Sequence, residues 1–136
     1  MKIMLDEGAK MPTRAHELDA GLDLYAREDA IIEAKDYCTF DTGVHVEIPE
    51  GYVGFLKSKS GLNVKHSITS EGVIDAGYTG SIAVKLYNNG GWEYHVKAGD
   101  KISQLVILPY ASVPLELVDS LDGTDRGDNG FGSSGR

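Results

Sequence analysis

The chain is predicted to be all-β: a jelly-roll-like sandwich or barrel with one short helix and a flexible, glycine-rich C-terminal tail. Three observations carry that expectation. Apolar residues recur mostly with period two, as in half-buried strands. Short segments of this kind follow one another closely, separated by turn residues. Only one stretch, about Ser60 to Lys65, reads as a helix.

In chain order, Lys2–Asp6, Asp23–Ala26, Ile31–Glu33 and Tyr37–Phe40 are the first strand candidates. Val44, Val46 and Ile48 then alternate with His45 and Glu47, up to the turn Pro49-Glu50-Gly51. Tyr52–Lys57 follows, and then the helix, for which Ser60 is a candidate N-cap. Ile82, Val84 and Leu86 alternate with Ala83, Lys85 and Tyr87 before the turn Asn89-Gly90-Gly91. After Ala98-Gly99-Asp100, the segment Ile102–Leu108 is nearly all apolar and reads as a strand buried on both faces, ended by Pro109. Leu115–Val118 is the last strand candidate. Beyond it the chain is Asp, Gly and Ser with almost nothing to pack. Residues 1–119 are therefore read as one β domain and 120–136 as a tail, with no internal repeat.

Composition bounds the function. A chain of 136 residues with 41% hydrophobic and 25% charged residues is an ordinary globular domain with a modest core. Its formal net charge of -8 disfavours non-specific binding to nucleic acid or anionic membrane. An anionic ligand would need a few placed cations or a metal. One cysteine, Cys38, allows no intrachain disulfide, and no apolar run approaches membrane-spanning length. The N-terminus lacks the apolar core of a signal peptide, so the expected location is the cytoplasm.

Five segments carry possible chemistry. The tail reads Arg126-Gly127-Asp128-Asn129-Gly130-Phe131-Gly132-Ser133-Ser134-Gly135-Arg136. Its glycines let backbone N–H groups approach an anion, its serines add hydroxyl donors, Arg126 suits phosphate and Phe131 offers a flat apolar face. Those are the needs of a nucleotide, although a disordered Gly/Ser tail has the same composition. The segment Gly72-Val73-Ile74-Asp75-Ala76-Gly77-Tyr78-Thr79-Gly80 sets a carboxylate and a ring three residues apart. Either Asp75 takes a proton from water and Tyr78 lies against a sugar or base, or Asp75 caps a turn and Tyr78 fills the core. Lys57-Ser58-Lys59-Ser60-Gly61-Leu62 offers helix N–H groups and the Lys59 charge to an anion, or simply a capped helix with solvated lysines. Gln104 is an amide among apolar strand residues, so it is satisfied by backbone or faces a site. Asp23, between leucines, is an edge residue, a metal anchor or a hydrogen-bond anchor.

Taken together and in this order, the five segments resemble the trimeric dUTP pyrophosphatase (dUTPase) family, from Ala20 to Gly135. The most specific parts are GVIDAGYTG at 72–80 and RGDNGFGSSG at 126–135. The resemblance implies a reaction: water attacks the α-phosphate of dUTP, giving dUMP and pyrophosphate with magnesium as cofactor. This keeps uracil out of DNA and supplies dUMP for dTMP synthesis. It implies that Asp75 is the general base and that Tyr78 packs on deoxyribose, excluding a 2′-hydroxyl. It implies that Asp23 helps hold magnesium through water. Lys59, Ser60, Gly61 and Gln104 match phosphate contacts, Arg126 reaches the terminal phosphate and Phe131 stacks on uracil. Gly132, Ser133 and Ser134 close over the phosphates, and the hairpin from Gly72 to Ala83 reads the uracil edge. It further implies a homotrimer whose tail closes a neighbour's site. The seventeen residues from Ser120 to Arg136 span up to ~55 Å when extended, enough to reach one.

The chain departs from the family pattern at four places. Ser58-Lys59-Ser60-Gly61 stands for the usual Pro-Arg-Ser-Gly, which keeps the charge but loses the bidentate fork. Ser67 and Asn129 stand where glycine is common, and Ser134 replaces a threonine. The four histidines have no metal-ligand spacing, while Trp92 and Cys38 read as packing residues. A dCTP deaminase-like protein would lack the Asp75 context and the tail motif. A nucleotide-sensing regulator with an inserted partner domain finds no insertion here. An inert nucleotide-binding β protein would release no pyrophosphate from dUTP.

Overall fold

The computed structural model describes residues 1–132, 134 and 135. Among these residues, eleven strands form four small antiparallel sheets wrapped, with one helix, round one apolar core. The central sheet has the order β2-β11-β6-β8, from Gly21–Tyr25, Lys101–Pro109, Tyr52–Lys57 and Glu71–Ile74. Facing it is a sheet of order β4-β9-β7, from Tyr37–Asp41, Ala83–Asn88 and Ile68–Thr69. Two ribbons complete the shell: β1 (Lys2–Leu5) on β5 (Val44–Glu47), and β10 (Tyr94–Val96) on β3 (Ala30–Ile32). The expected all-β architecture with a single short helix, α1 (Ser60–His66), is what forms.

The period-two pattern does what alternation dictates. Val84, Leu86 and Asn88 of β9 point inward and are buried, while Ala83 and Tyr87 face out and Lys85 is half-buried between them. Phe40, Val84 and Leu105, from three different strands, meet in the core and are essentially inaccessible to water. β11 is buried on both faces only in its first half. Ile102, Ser103 and Leu105 are enclosed, whereas Leu108 and Pro109 are exposed. The strand is central because β2 pairs along one edge and β6 along the other.

Three expectations need correction. Leu115–Val118 forms no strand: the last backbone hydrogen bond to the body is Tyr110 N–H to Gly51 O, 3.0 Å, and Leu115 and Leu117 are fully exposed. Residues of strand composition do not make a strand without a partner edge, and one subunit offers them none. Ser60 is not the helix N-cap. That position is Lys59, in extended conformation, and no side chain caps the helix. Trp92 does not pack but stands exposed beyond the turn. The strands β7, β8 and β10, of two to four residues, are too short to announce themselves by periodicity.

Candidate active site

Strand register brings the first cluster together. Gln104 on β11 lies opposite Asp23 on β2 and opposite Lys57 on β6, so these residues form one row across three strands and share a face. They line a pocket of about 430 Å³ whose rim adds Asp19, Gly21, Lys59 and Ser60. Gln104 Nε2 donates to Ser58 O at 3.0 Å. Its amide fills the place a Cβ on Gly21 would occupy, only 2.1 Å from Oε1, so a side chain there would displace the amide. The polar strand residue is thus satisfied by backbone on one side and open to the pocket on the other.

Asp23 is buried at 2% exposure yet charged, because two lysines reach it. Lys59 Nζ donates to Oδ1, and Lys101 Nζ lies 2.7 Å from Oδ2 in an ion pair that misses hydrogen-bond alignment. Burial pushes the carboxyl pKa up. The ammonium groups of Lys101 and Lys59 outweigh it and hold it below the usual 3.8. Lys101 in turn is held above its ordinary value by Asp23. Two lysines thus converge on one buried carboxylate, and Asp19 on the rim balances the second charge. Lys57 adds no net charge, since it pairs with Glu71 at 2.6 Å.

Sequence reasoning passed over Lys101 and the serine lattice beneath this pocket. Ser70 N–H donates to Ser58 Oγ at 2.9 Å, Ser70 and Ser103 hydroxyls share a 2.8 Å bond, and Ser103 Oγ donates to Lys57 O at 3.1 Å. Ser70 and Ser103 are buried, so the loop from Lys57 to Ser60 is fastened from below. The signal was there in Ser103, a polar residue in the most apolar strand.

The second cluster is a turn. Tyr78 N–H donates to Asp75 O at 3.0 Å, closing the chain after β8. The Asp75 carboxylate caps nothing: it is exposed, and it makes no hydrogen bond or ion pair among the described residues. It lies in a pocket of about 400 Å³ with Tyr52, Val53, Phe55, Ala76 and Tyr110. Tyr78 does not fill the core. It is 46% exposed, its hydroxyl donates to Ser81 O at 2.9 Å, and its ring covers Gly80, where a Cβ would come within 2.5 Å of Oη. Gly72 lies opposite Leu56 on β8, and Ala83 opposite Asp41 at the start of β9.

The two clusters lie apart within one subunit. Val53 lines the Asp75 pocket and Lys57 the Gln104 pocket, at opposite ends of β6. Val53 and Lys57 are four strand steps, about 13 Å, apart, and the Asp75 pocket extends between them as far as Phe55. Among the described residues, the tail joins neither cluster. Phe131 is fully exposed, Gly132 and Ser134 are exposed, and the hydrogen bonds of 124–135 are local turns such as Arg126 Nε to Asn129 O, 3.1 Å. Ser133 lies outside the described residues. No cluster of three His, Cys, Asp or Glu residues fit to cage a metal occurs among the described residues, and no helix there is long and apolar enough to cross a membrane.

Comparison with known proteins gives this geometry its relatives. A family model described as dUTPase matches residues 7–135. The deoxyuridine 5′-triphosphate nucleotidohydrolase of Clostridium tetani is 41% identical over 136 residues, covering 98% of this chain and 94% of its own. A probable deoxyuridine 5′-triphosphate nucleotidohydrolase of Schizosaccharomyces pombe is 42% identical, with 96% and 94% covered. Among solved structures, a mutant dUTPase of Staphylococcus bacteriophage 80alpha with dUpNHpp superposes with a TM-score of 0.92, at 32% identity, over 99% of this chain and 98% of that one. A mutant dUTPase from phage phi11 of S. aureus, described with a structural Mg(II) ion, gives 0.81 at 33% identity, over 88% and 96%.

Proposed function

This chain belongs to the dUTPase family, and from that premise we propose that it hydrolyses dUTP to dUMP and pyrophosphate with Asp75 as general base. The observation that carries the reading is the Asp75 carboxylate. It is presented on a closed turn three residues from Tyr78 and held by no other side chain among the described residues. With no cation or donor on it, the carboxylate is open to a water. Asp75 takes a proton from that water as its oxygen bonds to the α-phosphorus, and the bond to the bridging oxygen breaks to release pyrophosphate. Tyr78, pinned over Gly80, walls the deoxyribose and leaves no room for a 2′-hydroxyl. The backbone between Gly72 and Ala83 reads uracil.

Ser60, Gly61, Lys59 and Gln104 take the phosphates at the other pocket. Lys59 turns from Asp23 onto the triphosphate. Asp23, a buried carboxylate whose Oδ1 is freed when Lys59 leaves it, would then hold magnesium through water. Bound on the triphosphate, the ion neutralises charge on the phosphate oxygens. Lys101 keeps Asp23 in place throughout.

Asp75 and Gln104 face pockets at opposite ends of β6, so a complete site takes them from different subunits. We assign the chain to a homotrimer in the cytoplasm, with residues 1–119 as body. The tail 120–136 is a lid over a neighbour's site, where Arg126 meets the terminal phosphate and Phe131 meets uracil. Gly132, Ser133 and Ser134 close over the phosphates. Pyrophosphate release from dUTP, compared with dCTP, dTTP and UTP, tests the reading: release from dUTP alone supports it, and release from none rejects it.

A further inference from the structure

We infer that His45 is a positioning residue for the Tyr78 turn: its imidazolium ties the carbonyl of Thr79 to Asp6 and so fixes the wall that Tyr78 presents. The inference rests on the reading of Tyr78 as the deoxyribose wall.

His45 sits on β5 with only 17% of its side chain exposed. Its Nδ1 lies 2.8 Å from Thr79 O and its Nε2 lies 3.1 Å from Asp6 Oδ1. A carbonyl only accepts, so Nδ1 must carry a hydrogen. An ionised carboxylate only accepts, so Nε2 must carry one as well. The neutral ring has a single N–H and satisfies one partner at most. The geometry therefore calls for the cation.

The turn is strapped to a charged row on the same side. Tyr78 Oη donates to Ser81 O at 2.9 Å, and Ser81 Oγ donates to Asp41 Oδ1. Arg27 lies between the two acids, 3.4 Å from Asp41 and 3.8 Å from Asp6. The charged groups around His45 are then Asp6 after β1, Arg27 after β2, Asp41 at the end of β4, and the Lys2–Glu47 pair across β1 and β5 at 3.0 Å. Other straps on the segment do not titrate near neutrality: Ile82 N–H donates to Val44 O at 2.8 Å and Thr42 Oγ1 donates to Ile82 O at 2.7 Å. His45 is the one whose state changes in that range.

The bond to Thr79 raises the imidazole pKa above its ordinary 6.5; partial burial opposes this, and Asp6 and Asp41 add to the rise. The sign follows. The double tie from Thr79 through His45 to Asp6 is complete below the ordinary value and is lost as pH climbs through the raised one. Below that point Thr79, and Tyr78 beside it, are held. Above it one of the two bonds is gone.

The test uses the full chain and its His45→Ala and His45→Gln variants, with KM and kcat for dUTP and for UTP measured from about pH 6 to about pH 9. The wild-type KM for dUTP should rise about fivefold or more across this window relative to His45→Ala, the size of one lost hydrogen bond, while kcat moves little. His45→Ala should start at the raised KM and discriminate less against UTP. His45→Gln, with one donor, should fall between. A second readout needs no turnover. In the wild-type protein, the Gly80 amide resonance should follow the His45 imidazole titration. If the protein hydrolyses no dUTP, the dUTPase reading fails while this coupling remains measurable. A wild-type KM in His45→Ala at every pH, or a Gly80 amide that ignores the titration, overturns the inference.

Discussion

Gly80 and Asp75 share one turn, and in the proposed mechanism each bears on a different kinetic constant. The ring of Tyr78 occupies the space where a Cβ on residue 80 would stand, with Oη at 2.5 Å and Cζ at 2.6 Å. In Gly80→Ala the ring has to leave, so KM for dUTP should rise about tenfold and discrimination against UTP should weaken, read by steady-state kinetics on both nucleotides. Asp75→Asn keeps the shape and removes the base. Turnover should fall about 100- to 10,000-fold while nucleotide binding, measured by calorimetry, survives. Asp23, besides its proposed metal role, bears on stability. Its carboxyl is held below 3.8 by Lys101 and Lys59 against burial, so its contribution is present above that value and lost as pH falls through the lower folded one. Asp23→Ala should cost about 1–3 kcal/mol at neutral pH and flatten the acid limb of a urea-denaturation series. Lys101 makes this side chain legible only in three dimensions, because no spacing rule links residue 101 to residue 23.

Helix α1 shows how far local rules reach. Lys65 and His66 in its last turn suit the helix dipole, and the sequence places the helix to within a residue. Its stop signal is less visible. Ser67 ends it at φ 57°, a left-handed conformation that favours glycine, with its N–H on Asn63 O. The glycine common at this position in the family thus has a conformational reason, and Ser67→Gly should stabilise the protein by up to about 1 kcal/mol in urea unfolding. Asn129, the other replacement of a common glycine, keeps a negative φ and needs no such freedom. The long alternating strands were legible because each has a wet and a dry face. β7 and β8 were not, since two to four residues give alternation no room. Leu115–Val118 misled for the opposite reason: strand composition is a request for a partner, and one subunit does not supply it. Of the candidate site, the residue types and their order were readable. The register row that joins Asp23, Gln104 and Lys57 was not, because it depends on which strands become neighbours.

At the scale of the whole molecule, apolar residues continue beyond the Tyr110–Gly51 hydrogen bond without being covered. Val113, Leu115, Leu117 and Leu121 are all at least 69% exposed, unusual for a monomer, and the segment carrying them leads to Arg126 and Phe131. Removing residues from Arg126 onward should lower kcat/KM for dUTP at least a hundredfold. Size-exclusion and thermal melting should meanwhile show the same assembly, since the body makes its hydrogen bonds without that segment. The placement of the Asp75 and Gln104 pockets at opposite ends of β6 has a genetic consequence. In the proposed trimer with shared sites, two damaged alleles, one changed at Asp75 and the other at Gln104, would each encode an idle enzyme. Mixed assemblies of the two would still contain some sites built entirely from intact halves, and a cell carrying both would regain what neither supplies alone.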